Sequence, residues 1–211
     1  MPTLPRRWLC LLALLLLPAA GERQSDALAA RSKGRVNAPV TVYEMADFQC
    51  PACRRFALTT FPFIDRDFIQ TGKVRWVFVN FPLTHIHKNA LAAAQVAMCA
   101  ARQDRFWPVH DALFRSQPGW ADLERPWEAL IALADSVGVK RTPLVSCLDT
   151  RATVEAIARD AQGSRAAGAT ATPTFYIEGG LAESALPLAE FTRILDSVYH
   201  AKTGAPLPRR P

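Results

Sequence analysis

PVTVYEMADFQCPAC, residues 39–53, decides how this chain folds. Residues 39–48 are rich in β-branched and aromatic side chains and hold no proline after the first position, which is a strand pattern. From Ala52 to Thr60 the pattern turns helical. Pro51 falls at the first helical position, where its missing N–H costs nothing. Cys50 therefore stands at the N-terminal end of a helix. Free backbone N–H groups and the positive end of the helix dipole stabilise an anion there, so they favour thiolate over thiol. Cys53 lies one turn inside, where both influences are weaker. Two cysteines at this spacing can close a small disulfide ring or hold a metal, and the strand-to-helix setting points to a redox-active pair with Cys50 as its reactive thiol.

Working outward, Phe61-Pro62-Phe63 kinks or restarts the helix, which is expected to reach Gln70 and to end at Thr71-Gly72. VRWVFVNF, residues 74–81, is a second strand, stopped by Pro82. A β–α–β order with so long a connection favours a parallel pair and a right-handed crossover. Helical patterns follow over 89–102, 104–115, 127–137, 143–148 and 150–167. Residues 172–177 return to strand character before Gly179-Gly180, residues 181–185 form a candidate edge strand, and 188–199 read as a last amphipathic helix. The fold class is α/β, a small sheet interrupted by a helical insertion at about 88–168 within a domain spanning 37–200. Residues 22–36 read as a flexible tether and 201–211 as a disordered tail.

The chain of 211 residues, half of them hydrophobic, is long enough to bury a core without disulfides. Residues 1–21 stand apart. Arg6-Arg7 precede an apolar run over 8–17, and Pro18-Ala19-Ala20-Gly21 supplies small residues for cleavage, a signal-peptide pattern too short for a comfortable membrane span. An uncleaved anchor is the alternative. Export implies oxidising surroundings, periplasmic or otherwise extracytoplasmic. With Cys10 in the leader, Cys50, Cys53, Cys99 and Cys147 remain, and four cysteines permit three pairings. The simplest has a catalytic Cys50–Cys53 pair and a structural Cys99–Cys147 bridge; two buried free thiols are the plain alternative for the latter. Without Arg6 and Arg7 the formal charge of +6 falls to about +4, with no basic-aromatic stripe, so no nucleic-acid partner is expected.

Four ordered matches carry a family resemblance: VYEMADFQCPAC (42–53), CAARQDRFWPVHDALF (99–114), Cys147-Leu148-Asp149 before a long helix, and GATATPTFYI (168–177). Together they resemble the DsbA-like branch of the thioredoxin superfamily over residues 37–200. The resemblance implies a thioredoxin-like fold and an exported protein-disulfide oxidoreductase. Cys50 would attack and form the mixed disulfide, and Cys53 would resolve it. Pro51 and Ala52 form the active-site dipeptide, where the best-known member has Pro-His, so one source of thiolate stabilisation is missing. Glu44 would be a buried acid that moves the proton of Cys53. Strand alternation alone puts residues 44, 46 and 48 on one face and leaves burial open, an exposed acid on an edge strand being the alternative. Thr172-Pro173 would be a cis peptide facing the cysteines, with the Thr172 backbone pairing to substrate and Pro173 blocking metal capture. Without the resemblance, a trans proline opening a strand is the default.

The resemblance further implies no organic cofactor, reduced or unfolded exported proteins as substrates, and recharging by a membrane partner of the DsbB or VKOR type. About fifteen residues separate leader and first strand, which leaves no room for the dimerisation domain of the isomerases and favours a monomer. Reductase or isomerase action within the same chemistry stays open. A thiolate copper or zinc module using Cys50, Cys53 and His85 or His87 is the reading from another class; with no third ligand apparent beside the two histidines, a loop role ranks above it and no metal is expected. His110, with Phe106, Trp107 and Phe114, fits a packed helix face better than a catalytic base.

Overall fold

Five strands form one sheet: β1 (Ser32–Lys33), β2 (Val40–Ala46), β3 (Val74–Asn80), β4 (Thr174–Ile177) and β5 (Gly180–Glu183). The computed structural model describes residues 28–207. The strand order is β1-β3-β2-β4-β5. β2 and β3 run parallel and the other three pairs are antiparallel. β2, which delivers the chain to Cys50, is therefore central. Its Glu44 is opposite Phe78 on one side and Phe175 on the other.

The β2–β3 crossover holds α1 (Pro51–Thr59), α2 (Phe61–Ile64) and a wide turn over Asp65–Ile69. Pro62, in the first turn of α2, restarts the helix as the sequence suggests. The stretch to Gln70 is not ordinary α-helix: Gln70 N–H donates to Asp65 O, one residue further back than helical spacing. The insertion comprises α3 (Ala90–Ala101), α4 (Phe106–Arg115), α5 (Gln117–Trp120), α6 (Trp127–Ser136), α7 (Arg141–Asp149) and α8 (Val154–Ala166). The short α5 has no counterpart in the sequence reading. α9 (Leu188–Thr203) closes the fold.

Apolar burial sits mainly on one face of the sheet. Phe56 of α1 stacks among Trp76, Phe175 and Phe191, with ring centroids 4.6–6.0 Å away. Each such side chain, fully buried, contributes about 1.5–3 kcal/mol. A second cluster gathers Phe48 and Phe78 with Phe106, Leu113, Phe114, Trp120 and Leu130 of the insertion. At its centre α3 buries every residue but Leu91, as a helix that is apolar all round must, and its alanines let the neighbouring helices approach closely.

Two boundaries differ from the sequence reading. The tether expected over 22–36 is ordered structure from residue 28 onward. Ser32 and Lys33 pair with Val77 and Trp76, and Arg31 is 2% exposed, ion-paired with Asp160 of α8. Gly34 adopts φ +87°, and a Cβ there would lie 2.4 Å from Val74 O. Polar composition suggested a tether because the partner that lets Arg31 be buried lies 129 residues away. The tail expected from 201 begins later. α9 continues to Thr203 and ends at Gly204, in the left-handed conformation typical of helix C-termini. The proposed leader (1–21), the first residues of the tether and the last of the tail lie outside the described residues.

Candidate active site

The site is assembled where β2 ends. Cys50 has extended backbone angles, caps α1 and leaves the helix N–H groups open towards its sulfur, with Pro51 next in the first turn. Both cysteines are free thiols, Cys53 fully buried and Cys50 7% exposed. Their environments drive them apart. The Cys50 thiol is lowered to about 5, chiefly by a hydrogen bond from the Cys53 thiol and, against the opposing pull of burial, by Thr172 and the backbone N–H groups of Cys53 and Ala52. Burial pushes Cys53 well above the ordinary thiol value, and the nearby Cys50 and Glu44 charges push the same way. The pair thus holds one thiolate and one thiol at neutral pH.

The loop before β4 forms the facing wall. Thr172–Pro173 is a cis peptide bond. Cys50 Sγ lies 3.3 Å from Thr172 O and donates to it as a thiol. The Thr172 hydroxyl is buried without a hydrogen-bond partner, so it is free to donate when Cys50 is a thiolate. Glu44 is 1% exposed beneath the helix, on the central strand and not an edge. Burial raises its carboxyl to about 7, against a bond from Trp76 Nε1 at 2.9 Å that lowers it. Its other oxygen has no partner.

Cys99 and Cys147 are joined by a disulfide between α3 and α7. His110 is buried among Phe48, Phe78, Trp107 and Phe114, with ring centroids 4.9–5.9 Å away, and Nδ1 lies 2.8 Å from Asp111. It is a packed side chain, as its helix face suggested. His87 is bound to Asp47 at 2.8 Å. Among the described residues no group of three or more His, Cys, Asp or Glu is placed to hold a metal.

The sequence model of the thioredoxin family ("Thioredoxin") matches residues 27–197. Disulfide bond formation protein D of Bacillus subtilis is 32% identical over 148 residues, covering 68% of this chain and 65% of that protein. The chain thus spans just under two thirds of that relative's length. A Na(+)/H(+) antiporter NhaA 3 of Salinispora tropica is 33% identical over 147 residues, 70% of this chain but only 21% of the antiporter. Among solved structures, oxidised BdbD from Bacillus subtilis superposes with a TM-score of 0.71 at 30% identity, covering 80% of this chain and 92% of BdbD. Wolbachia pipientis alpha-DsbA1 gives 0.73 at 25%, covering 82% and 92%.

The chain belongs to the thioredoxin family, as a DsbA-type member.

Several residues that build this DsbA-type centre carry no signal of their own in the sequence. Gln117 Nε2 donates to Phe48 O at 2.7 Å and Cys50 O at 3.1 Å, fixing the turn from within the insertion. Gln49 Nε2 donates to Ala121 O at 2.8 Å, and Gln49 Oε1 accepts from Asn89 N at 2.7 Å. Asn89 Nδ2 in turn donates to Ala121 O and Leu123 O. Asp47 Oδ1 accepts from Gln49 N at 2.7 Å and Oδ2 from Leu83 N at 2.8 Å. Asp47 alone offered a clue, an acid ending an apolar strand three residues before Cys50.

Proposed function

We propose that this chain is an exported thiol–disulfide oxidoreductase that forms disulfides in substrate proteins through Cys50 and Cys53. The observation that carries the reading is the placement of Cys50 at the helix terminus, against the cis Thr172–Pro173 loop, with Cys53 fully buried one turn behind it. A substrate thiolate attacks Cys50 Sγ of the oxidised pair, the Cys50–Cys53 bond breaks, and Cys53 leaves and takes a proton. A second substrate thiolate then attacks the substrate sulfur of the mixed disulfide and expels Cys50 as thiolate. The substrate loses two electrons and the pair gains them. A stabilised Cys50 thiolate makes Cys50 a good leaving group and favours the reduced pair, which makes the protein an oxidant.

Glu44 is the proton source for Cys53, since a carboxyl near 7 is poised to give and regain a proton at neutral pH. The Thr172 backbone pairs with an extended substrate segment and Pro173 keeps metals from the two thiols; the cis loop against Cys50 supports both roles. Pro51 and Ala52 hold the turn between the cysteines, and the Cys99–Cys147 bridge is structural. The substrates are reduced or unfolded exported proteins, the recharging partner is a membrane protein of the DsbB or VKOR type, and the protein works as a monomer without organic cofactor. The leader pattern of residues 1–21 supports an extracytoplasmic, periplasmic-type location.

Two measurements test this. Titration of the pair against glutathione should give a potential well above the roughly −270 mV of thioredoxin, towards the roughly −120 mV of DsbA. The oxidised protein should also restore activity to a reduced, unfolded disulfide protein, and C50S should not. A potential at the thioredoxin value would replace the oxidase by a reductase.

A further inference from the structure

The turn that carries Cys50 is strapped to the loop after β3 by two polar bridges. The Asp47 carboxylate accepts from Gln49 N on its own turn and from Leu83 N and His87 Nδ1 across the gap. Gln49 Oε1 accepts from Asn89 N two residues beyond His87. The Asp47 side chain is completely buried and the His87 ring is only 16% exposed. Cys50 N donates to Asp47 O at 3.1 Å, so the residue whose carboxylate holds the His87 ring also closes the turn that carries Cys50.

The other charged groups nearby are committed elsewhere. Lys88 is paired outward with Glu124, Arg54 Nε on α1 donates to Phe114 O, and Glu44 acts on Cys53. Pro51 and Ala52 carry no charge. His87 is the one cation bonded to the Asp47 side chain among the described residues.

We propose that His87, fixed by Asp47, is a positioning residue whose imidazolium stabilises the Cys50 thiolate and so sets how oxidising the Cys50–Cys53 pair is. The inference rests on the reading of Cys50 as the cysteine that forms the mixed disulfide and leaves as thiolate. The His87 ring is held protonated above its ordinary range, first by its bond to Asp47, then by the charges of Asp47 and Cys50. Coupling is reciprocal: whatever the thiolate adds to the proton affinity of His87, the imidazolium subtracts from that of Cys50. The cation that is absent between the cysteines is thus supplied from another loop.

H87N and H87Q each keep an N–H able to reach Asp47 and remove the charge. Thiolate absorbance at 240 nm in reduced protein should place the Cys50 midpoint roughly 0.5–1 pH unit higher in these variants. The equilibrium with glutathione at neutral pH should shift against the reduced pair by the corresponding factor, roughly three- to tenfold. In the unaltered protein, the His87 ring followed by NMR should titrate at higher pH in the reduced than in the oxidised form. An equal His87 midpoint in both redox states overturns the inference, even where a variant folds poorly. A lowered wild-type Cys50 midpoint that H87N and H87Q leave in place overturns it while sparing the catalytic reading. An ordinary thiol midpoint in wild type overturns both.

Discussion

Trp76 donates its indole N–H to Glu44 at 2.9 Å, tying β3 to the one acid of the central strand. Burial outweighs this bond and holds the Glu44 carboxyl at about 7, against an ordinary value of 4.5. The raised value fixes the sign of a pH effect. The folded protein keeps a proton that the unfolded chain releases, so the contribution is full below 4.5 and is lost as pH rises through about 7. In E44Q that loss is absent, because a glutamine does not ionise and still accepts from Trp76. Denaturant titrations should show the stability of E44Q gaining on wild type by on the order of 3 kcal/mol between pH 4 and pH 8. Stopped-flow reduction of the oxidised pair should be slower by roughly 10²-fold, at the low end for a lost general acid. Unchanged exchange kinetics would remove Glu44 from the reaction.

The low value of Cys50 depends first on its neighbour. The Cys53 thiol is the leading donor to the Cys50 sulfur, ahead of Thr172 and the helix N–H groups. C53A should therefore raise the Cys50 midpoint from about 5 towards the ordinary thiol value of 9.0. T172V, which removes only the hydroxyl, should raise it less. Iodoacetamide alkylation against pH measures both. The thiolate contributes stability to the reduced protein above the unfolded thiol value, and loses it as pH falls through about 5. Reduced and oxidised forms should accordingly diverge in melting temperature at neutral pH and converge in acid. Equal midpoints in C53A and wild type would rule out the Cys53 bond as the cause.

The strand, the Cys50 cap and the parallel crossover were legible because each rests on residues close in sequence. Pro51 at the helix start and the apolar run over 74–81 are local signals, and β2, α1 and β3 fall where those signals put them. Glu44 was visible as an acid in an apolar strand. Its burial was not, since that depends on strands on both sides, one of them arriving 130 residues later. The polar strap of Asp47, Gln49, His87, Asn89 and Gln117 is hidden for the same reason: its partners are mostly backbone groups of other loops. The tether reading failed at Arg31 because charge and polarity predict solvent only when no distant acid answers them.

Arg31 gives the sharpest test of that last point. It is buried against Asp160 and donates to Phe78 O at 3.2 Å, while Asp160 also accepts from Asn80 N and Nδ2. The segment before β1 is thereby clamped to the insertion and to β3. R31A leaves the Asp160 carboxylate buried without its cation, which should cost about 3–5 kcal/mol in urea denaturation. The double variant R31M/D160L should recover much of that loss, since an apolar pair of similar volume need not be worse. A loss under 1 kcal/mol in R31A would return the segment to the status of a tether.

The Cys99–Cys147 disulfide closes a loop of 48 residues between α3 and α7. Its effect should fall on stability alone. C99A/C147A should lose roughly 2–4 kcal/mol, because the unfolded chain regains the freedom that the bridge removes. The Cys50 midpoint and the exchange rate should stay at wild-type values, since the groups that lower Cys50 are Cys53, Thr172 and the helix N–H groups. Denaturation of the double variant beside alkylation kinetics separates the two outcomes. A shifted Cys50 midpoint would show instead that the insertion transmits the state of this bridge through Gln117, whose amide holds the carbonyl of Cys50.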